Sequence, residues 1–268
     1  MDPIYEVFAV RYATYRQRLR SENFLPVDEH DSGLMPLDYY VWLLRSPSRT
    51  ILVDTGFNKA GAAARNRQQL RCPIEALQLL GVAPADIDDV IITHLHYDHA
   101  GNLDKIPKAR FHIQDKEVEF ATGRCMCHAP LRFAYSPEDV SSLIRKLYAG
   151  RVVFHDGYGE VAPGVELMHI GGHTKGLQAV RVKTQRGWVV LASDASHFYE
   201  NLECARPFPL VTDVVEMLDG FGSLVKAAES SSHVIPGHDP LVMERYPTSP
   251  QDPEGIALLH LSPIALGQ

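Results

Sequence analysis

Cysteine is scarce: Cys72, Cys125, Cys127 and Cys204 are the four in 268 residues. A chain of this size with so few has no disulfide framework, so its stability must come from a buried core. Long apolar runs are missing too. No stretch approaches about 18 uninterrupted apolar residues, the length a membrane-crossing helix needs, so no membrane partner is expected. The opening MDPIYEVFAVRYATYRQRLR lacks a basic start followed by an apolar run and does not read as a secretory signal. A cytoplasmic location follows as the default. The third absence is an excess of basic charge. The 26 Lys and Arg against 33 Asp and Glu give a formal charge of −7. Proteins that neutralise a phosphate backbone need the opposite balance, so nucleic acid is not an expected partner. What is present, 45% hydrophobic and 22% charged residues, suits a globular chain that can bury a core.

The pattern along the chain alternates strands and helices. Residues 5–13 (YEVFAVRYA) alternate in short runs, and 39–46 with 49–56 read as two buried strands around a Ser-Pro-Ser turn. Cys72 to Leu80 reads as a helix, with Pro73 in its first turn and Gly81 as its stop. Val90 to Thr93 is short and β-branched, hence a buried strand, and residues 111–114 form another. Ser136 and Pro137 start a helix that ends at a glycine. Residues 165–170, 179–184 and 188–194 read as successive strands. Thr212 to Glu229 is an amphipathic helix that Gly220 and Gly222 are expected to bend, and 233–238 is a last strand. Beyond about residue 245 the chain turns rich in Pro, Ser and Gln and is expected to lie over the surface. This order fits sheets covered by helices. We read residues 1–268 as one domain with a C-terminal extension from about 245.

Chemistry concentrates in Thr93-His94-Leu95-His96-Tyr97-Asp98-His99-Ala100-Gly101. Three imidazoles and a carboxylate within six residues are the donor types that bind zinc. A tight turn after a strand can aim His94 and His96 to one side, and Asp98 and His99 to another. Three further candidates follow at strand ends: His173 in Gly171-Gly172-His173-Thr174-Lys175-Gly176, Asp194 after an apolar run, and His238 after Pro236-Gly237. Glycine lets backbone turn sharply near a ligand, and an ionised Asp at a buried strand end needs a cation or several donors. An accidental polar loop would not explain all four together.

The order H-x-H-x-D-H, then a glycine-flanked His, then Asp, then His resembles the ligand pattern of the metallo-β-lactamase superfamily, across roughly residues 36–240. The resemblance implies an α/β fold, a four-layer αβ/βα sandwich with metals at one edge. It assigns His94, His96 and His173 to a first metal, Asp98, His99 and His238 to a second, and Asp194 to a bridge. It places Asp54, in Val53-Asp54-Thr55-Gly56, behind the ligands as a support; a capped turn after a strand would also account for it. Two divalent ions, zinc by default with iron, manganese or cobalt as options, would hold a hydroxide between them and polarise a carbonyl. Hydrolysis of a small lactone or ester by that hydroxide is the expected activity.

HLHYDHAGN and SDASHFYEN are most similar to the quorum-quenching N-acyl-homoserine lactonases. Those enzymes carry a Tyr three residues after the bridging Asp, where His197 stands here and Tyr199 follows. Asp98, His197 and Tyr199 are therefore the expected catalytic residues. His197 can donate a hydrogen bond or act as an acid, because imidazole titrates near neutral pH. Phe24, Leu25, His30 and Phe198 are candidates for the substrate pocket. Cys125-Met126-Cys127-His128 is read as a loop near the channel, not a second metal site, and His112, His155, His169 and His233 as structural or surface residues. A glyoxalase II-like thioesterase, a β-lactamase and an amidase remain as rivals on the same fold, and a metal-binding scaffold as the non-enzymatic one. The segment GIALLHLSPIAL is apolar enough to cover its own core or a partner, which leaves a homodimer open.

Overall fold

In the computed structural model, residues 2–28 and 30–264 are described. Strand β1 (Glu6–Tyr15) pairs antiparallel with β2 (Leu37–Arg45), and β2 turns through Ser46 to Arg49 into β3 (Thr50–Val53). The short β4 (Gln68–Gln69) pairs with β1. β5 (Asp89–Ile91), β6 (Arg110–Gln114) and β7 (Val152–His155) then add in parallel, each reached through helical crossovers. A second sheet holds β8 (Gly159–Ala162), β9 (Val165–His169), β10 (Gln178–Thr184), β11 (Gly187–Ser193) and β12 (Val234–Pro236). β13 (Thr248–Ser249) and β14 (Asp252–Leu258) return to the first sheet. The first sheet runs β13-β14-β1-β2-β3-β5-β6-β7 and the second β12-β11-β10-β9-β8.

The period of two along each strand sorts the side chains into layers. Val7, Ala9, Tyr40, Trp42, Leu44, Ile51 and Val53 of the first sheet meet Val165, Leu167, Val180, Val182, Val189 and Leu191 of the second. The alternate residues Phe8, Val10, Tyr12, Val41, Leu43 and Leu52 face Ile74, Leu77 and Leu143 on the outer helices. On the far side, Ala179, Val190, Ala192 and Val234 pack against Leu224. Helix, sheet, sheet, helix is the four-layer αβ/βα arrangement expected. Both faces of the strands around β2, β3 and β5 are covered, which is why these segments read as unbroken apolar runs.

The two longest helices start at side-chain caps. The Ser136 hydroxyl accepts from Asp139 N ahead of Pro137–Tyr148, and the Asp213 carboxylate accepts from Glu216 N ahead of Val214–Ala227. The latter runs unbroken through Gly220 and Gly222, the glycines expected to bend it. Gly220 serves packing instead: a Cβ there would sit 2.6 Å from Ile170 Cγ2, so the missing methyl lets the helix approach the sheet. Residues 72–80 are half α-helix (Pro73–Ala76) and half 3₁₀ (Leu77–Leu80), ended by Gly81 at φ +72°.

The chain beyond 245 corrects the expectation of a surface tail. β14 pairs antiparallel with β1, Val10 opposite Ile256 and Phe8 opposite Leu258, and Ile256, Ala257 and Leu259 are fully buried. The flanking Pro, Ser and Gln masked a core strand. The GIALLH part of the segment that suggested a partner-covering face belongs to the chain's own sheet and core, Leu261 is half-buried and Ser262 to Ile264 are exposed; residues 265 and 266 lie outside those described. Among the described residues, no helix is long and apolar enough to cross a membrane. Ile256→Ala should lower the unfolding free energy by about 2–4 kcal/mol in urea denaturation, as for a buried aliphatic truncation. A loss below about 0.5 kcal/mol, the range of surface substitutions, would remove β14 from the core.

Candidate metal centre

The strand ends on one side of the sandwich converge. β5 stops at Ile91, and the chain turns through Thr93 and His94 into a single helical turn, Tyr97–Ala100. That turn separates the two pairs of donors, because His94 and His96 precede it while Asp98 and His99 ride on it. His96 forms an isolated bridge with Tyr135, and Tyr97 N donates to Ala134 O. β11 ends at Ser193, which stands at φ +48°, so the chain swings Asp194 into the cleft. Asp54, at the end of β3, has φ +60°. Left-handed backbone at two non-glycine strand ends is strain held by the surrounding structure. His173 follows Gly172, at φ +77°, where a Cβ would lie 2.6 Å from Met217 N. Only glycine fits that approach.

The seven side chains expected to meet do meet. His94 Nε2 is 3.0 Å from His96 Nδ1, and His173 Nε2 is 3.0 Å from the same atom. Asp194 Oδ2 faces this group, 3.2 Å from His173 Nε2 and 3.8 Å from His94 Nε2. Asp194 Oδ1 faces the other group, 3.0 Å from His238 Nε2 and 3.2 Å from His99 Nε2. Asp98 Oδ2 completes that side, 3.9 Å from His99 Nε2 and 4.0 Å from His238 Nε2. One carboxylate thus presents an oxygen to each of two imidazole groups. All seven residues are buried.

The electrostatics fit cations between these atoms. Burial, reinforced by the neighbouring imidazoles, holds His94 and His96 well below the usual histidine range, so they are free bases at neutral pH. For His99, burial pulls downward, but Asp194, Asp54 and Asp98 outweigh it and raise its pKa. Burial pushes Asp194 up, yet the surrounding histidines hold it well below the carboxylate range. His99 Nε2 is buried without a hydrogen-bond partner and points at this gap. An orphaned imidazole nitrogen among carboxylates, with neutral imidazoles opposite, is the donor chemistry of a divalent ion.

Behind these atoms stands a supporting layer. Asp54 Oδ2 accepts from His99 Nδ1 at 2.7 Å and from the Thr93 hydroxyl at 2.8 Å, and Oδ1 accepts from Thr93 N at 2.8 Å. Burial raises the Asp54 pKa, with His99 opposing. His173 Nδ1 donates to Leu210 O at 2.6 Å and His238 Nδ1 to Asp38 O at 2.8 Å. Such contacts fix the tautomer and aim the other nitrogen. Glu117 escaped the sequence reading. Its buried carboxylate accepts from Leu95 N, Gly176 N, the Thr174 hydroxyl and the Tyr135 hydroxyl, tying the His94–His96 turn to the His173 turn. Its one sequence signal is a charge at helical spacing from the buried Phe120 and Ala121.

A family model described as the metallo-beta-lactamase superfamily matches residues 34–243. The chain belongs to the metallo-beta-lactamase superfamily. Within it, an N-acyl homoserine lactonase of Agrobacterium fabrum is 31% identical, covering 78% of this chain and 82% of its own. An N-acyl homoserine lactonase of Bacillus sp is 29% identical over 65% of this chain and 70% of that one. A crystal structure of a quorum-quenching N-acyl homoserine lactone lactonase superposes with a TM-score of 0.73 at 27% identity, covering 90% of this chain and 95% of that one. A second, with the product N-hexanoyl-L-homoserine bound at its catalytic metal centre, gives 0.72 at 25% identity over the same shares.

As in other concave ligand sites, a cavity opens over this superfamily member's cleft. It has a volume of about 410 Å³ and reaches His96, Asp98, Asp194, His197 and His238 at its floor. His197 stands there as expected. Its Nε2 is 3.0 Å from Asp194 Oδ2, its ring stacks on Phe208 at 3.6 Å, and burial brings its pKa down to about 3. Tyr199 does not line the cavity. The chain enters the short Tyr199–Glu203 helix there, and the buried Tyr199 ring packs in the inter-sheet core under Arg245, whose guanidinium lies 3.8 Å away. The pocket candidates are corrected as well. Phe198 is a fully buried core residue, and Phe24 packs beside it at 6.5 Å. Leu25 is bonded through its N–H to Pro207 O, and His30 is exposed on the loop surface. The wall is made instead by Leu37, Tyr39, Phe133, Phe208 and Leu210, with Arg18 and Arg67. Cys125 packs against the outer core and Cys127 is exposed, neither on this cavity. Asp54→Asn should weaken divalent-ion affinity by about 10–100-fold, the usual cost of losing such a support, measured by competition with a chromophoric chelator. Unchanged affinity would detach Asp54 from the centre.

Proposed function

We propose that this chain is a two-metal hydrolase that opens a small lactone. The observation that carries the reading is Asp194, one carboxylate shared between two separate donor groups at the floor of the cleft. In this reading His94, His96, His173 and Asp194 would hold one ion, and Asp98, His99, His238 and Asp194 the other. Zinc is the ion we assign, on the strength of imidazole nitrogen and carboxylate oxygen donors. When bound, such ions supply a water that deprotonates near neutral pH and polarise the ester carbonyl.

The protein's own groups then do the rest. Asp98 faces the cavity beside the donors, placed to accept the proton of the attacking water and pass it to the ring oxygen that leaves. His197 donates through Nε2 to Asp194 and steadies the shared carboxylate, while its place in the cavity wall puts it within reach of the substrate. Leu37, Phe208 and Leu210 offer an apolar side to the ring. Lactone is preferred over thioester or β-lactam because the relatives of 25–31% identity are lactone hydrolases.

The test is a substrate panel on zinc-loaded protein: N-hexanoyl-homoserine lactone, a thioester and a β-lactam, with ring opening followed by proton release. Turnover of the lactone, reduced about 100-fold or more in Asp98→Asn as for loss of a general acid–base, is expected. Stoichiometrically loaded protein that opens no lactone would end the reading. So would an unchanged rate in the variant for the assignment of Asp98.

A further inference from the structure

The cavity carries two positive charges that ring opening does not call for. Arg18 is fixed by neutral acceptors: its Nε donates to the Asn23 side-chain carbonyl and one terminal nitrogen to Glu22 O at 2.6 Å. Arg67 is fixed the same way, through one terminal nitrogen on Arg65 O at 2.7 Å, and its guanidinium lies 4.0 Å over the Tyr15 ring. Its Nε is buried and bonds to nothing. Among the described residues, neither arginine has a carboxylate within 4.0 Å. The nearby Arg20 and Arg206 differ in this respect, being closed on Glu200 and Asp31. The Glu22 carboxylate, close to Arg18 in sequence, is engaged with Leu19 N.

Two like charges are therefore held in one cavity wall with no ion pair among the described residues, Glu22 acting on Arg18 only from beyond contact distance. Burial keeps the Arg18 guanidinium below its usual range against the opposing charge of Glu22, with Arg67 a smaller push in the same direction as burial. A planar fork, oriented by carbonyls but not neutralised, matches a carboxylate with two parallel hydrogen bonds. The chain as a whole carries −7, so its general field repels anions and this patch is a local exception. One aromatic ring separates it from the centre. Phe208 lies under Arg18 at 4.8 Å and stacks on His197, and Tyr39, beside Arg67 in the wall, is 5.1 Å from the His238 ring.

We infer that Arg18 and Arg67 form an anion subsite for a carboxylate at the far end of the substrate's acyl chain, so that acidic lactones are preferred over neutral ones. The inference rests on the lactonase reading above for its reaction, but not for its binding site. Kinetics with a matched pair, N-hexanoyl- and N-adipoyl-homoserine lactone, read the preference. These differ only in a terminal methyl against a terminal carboxylate. The acid should be favoured in kcat/KM by about tenfold or more, the scale of one charge-assisted contact. That ratio should collapse toward one in Arg67→Gln and Arg18→Gln, survive in part in Arg67→Lys, and shrink with added salt in the wild type.

Calorimetry with adipamate and hexanamide reads the subsite without turnover, adipamate being the expected ligand. Saturable adipamate binding with no ring opening would sink the lactonase reading and keep the subsite. Turnover of both lactones with the neutral one preferred, or a preference untouched by both glutamine variants, would overturn the subsite. Equal affinity for adipamate and hexanamide would do the same. If a variant loses its melting transition, the wild-type comparison decides alone.

Discussion

The arrangement depends on one buried carboxylate. Asp194 is almost wholly removed from solvent, at 3% exposure, and its two oxygens face two groups of imidazoles. A lone carboxylate in that position would be costly. Here the cost is offset by five imidazole nitrogens within 3.8 Å, from His94, His99, His173, His197 and His238. Removing a member leaves an uncompensated buried charge. Asp194 thus holds the site together, and the proposed ions would balance its charge from between the same imidazole nitrogens.

The sandwich delivers that carboxylate. β11 is an interior strand of the second sheet, with β10 on one side and β12 on the other, so Ser193 ends on a rigid element. The left-handed turn at Ser193, and its hydroxyl contact to Thr93 at 2.9 Å, lock the end of β11 to the end of β5 across the sheet interface. Glu117 performs a comparable task from the helical layer, joining the His94–His96 turn to the Thr174–Gly176 turn through four hydrogen bonds. The donors are set by both sheets and a helix together. Sites on such elements keep their geometry better than sites on free loops.

What was legible in the sequence was local. The two-residue period gave the strand faces, and HLHYDHAG, with His173, Asp194 and His238 at strand ends, gave the side chains that the fold brings together. What was not legible depends on pairings across the chain. Asp38 acts through its carbonyl oxygen on His238, 200 residues later, and backbone carbonyls leave no mark on composition. Glu117 looks like any helical glutamate until its helix is docked. Tyr199 was paired with His197 by closeness in sequence, but the helix that begins at Tyr199 turns it to the other side of the wall. β14 hid behind prolines and glutamine, because an edge partner for β1 is chosen by the sheet and not by its own flanks.

The central claim is that Asp194 lies between two cations. Anomalous scattering from crystals of protein loaded with zinc tests it most directly. The account predicts two peaks per chain, one beside His94, His96 and His173, the other beside Asp98, His99 and His238, with an Asp194 oxygen bound to each. A single peak, or two peaks that leave Asp194 unbound, would contradict it.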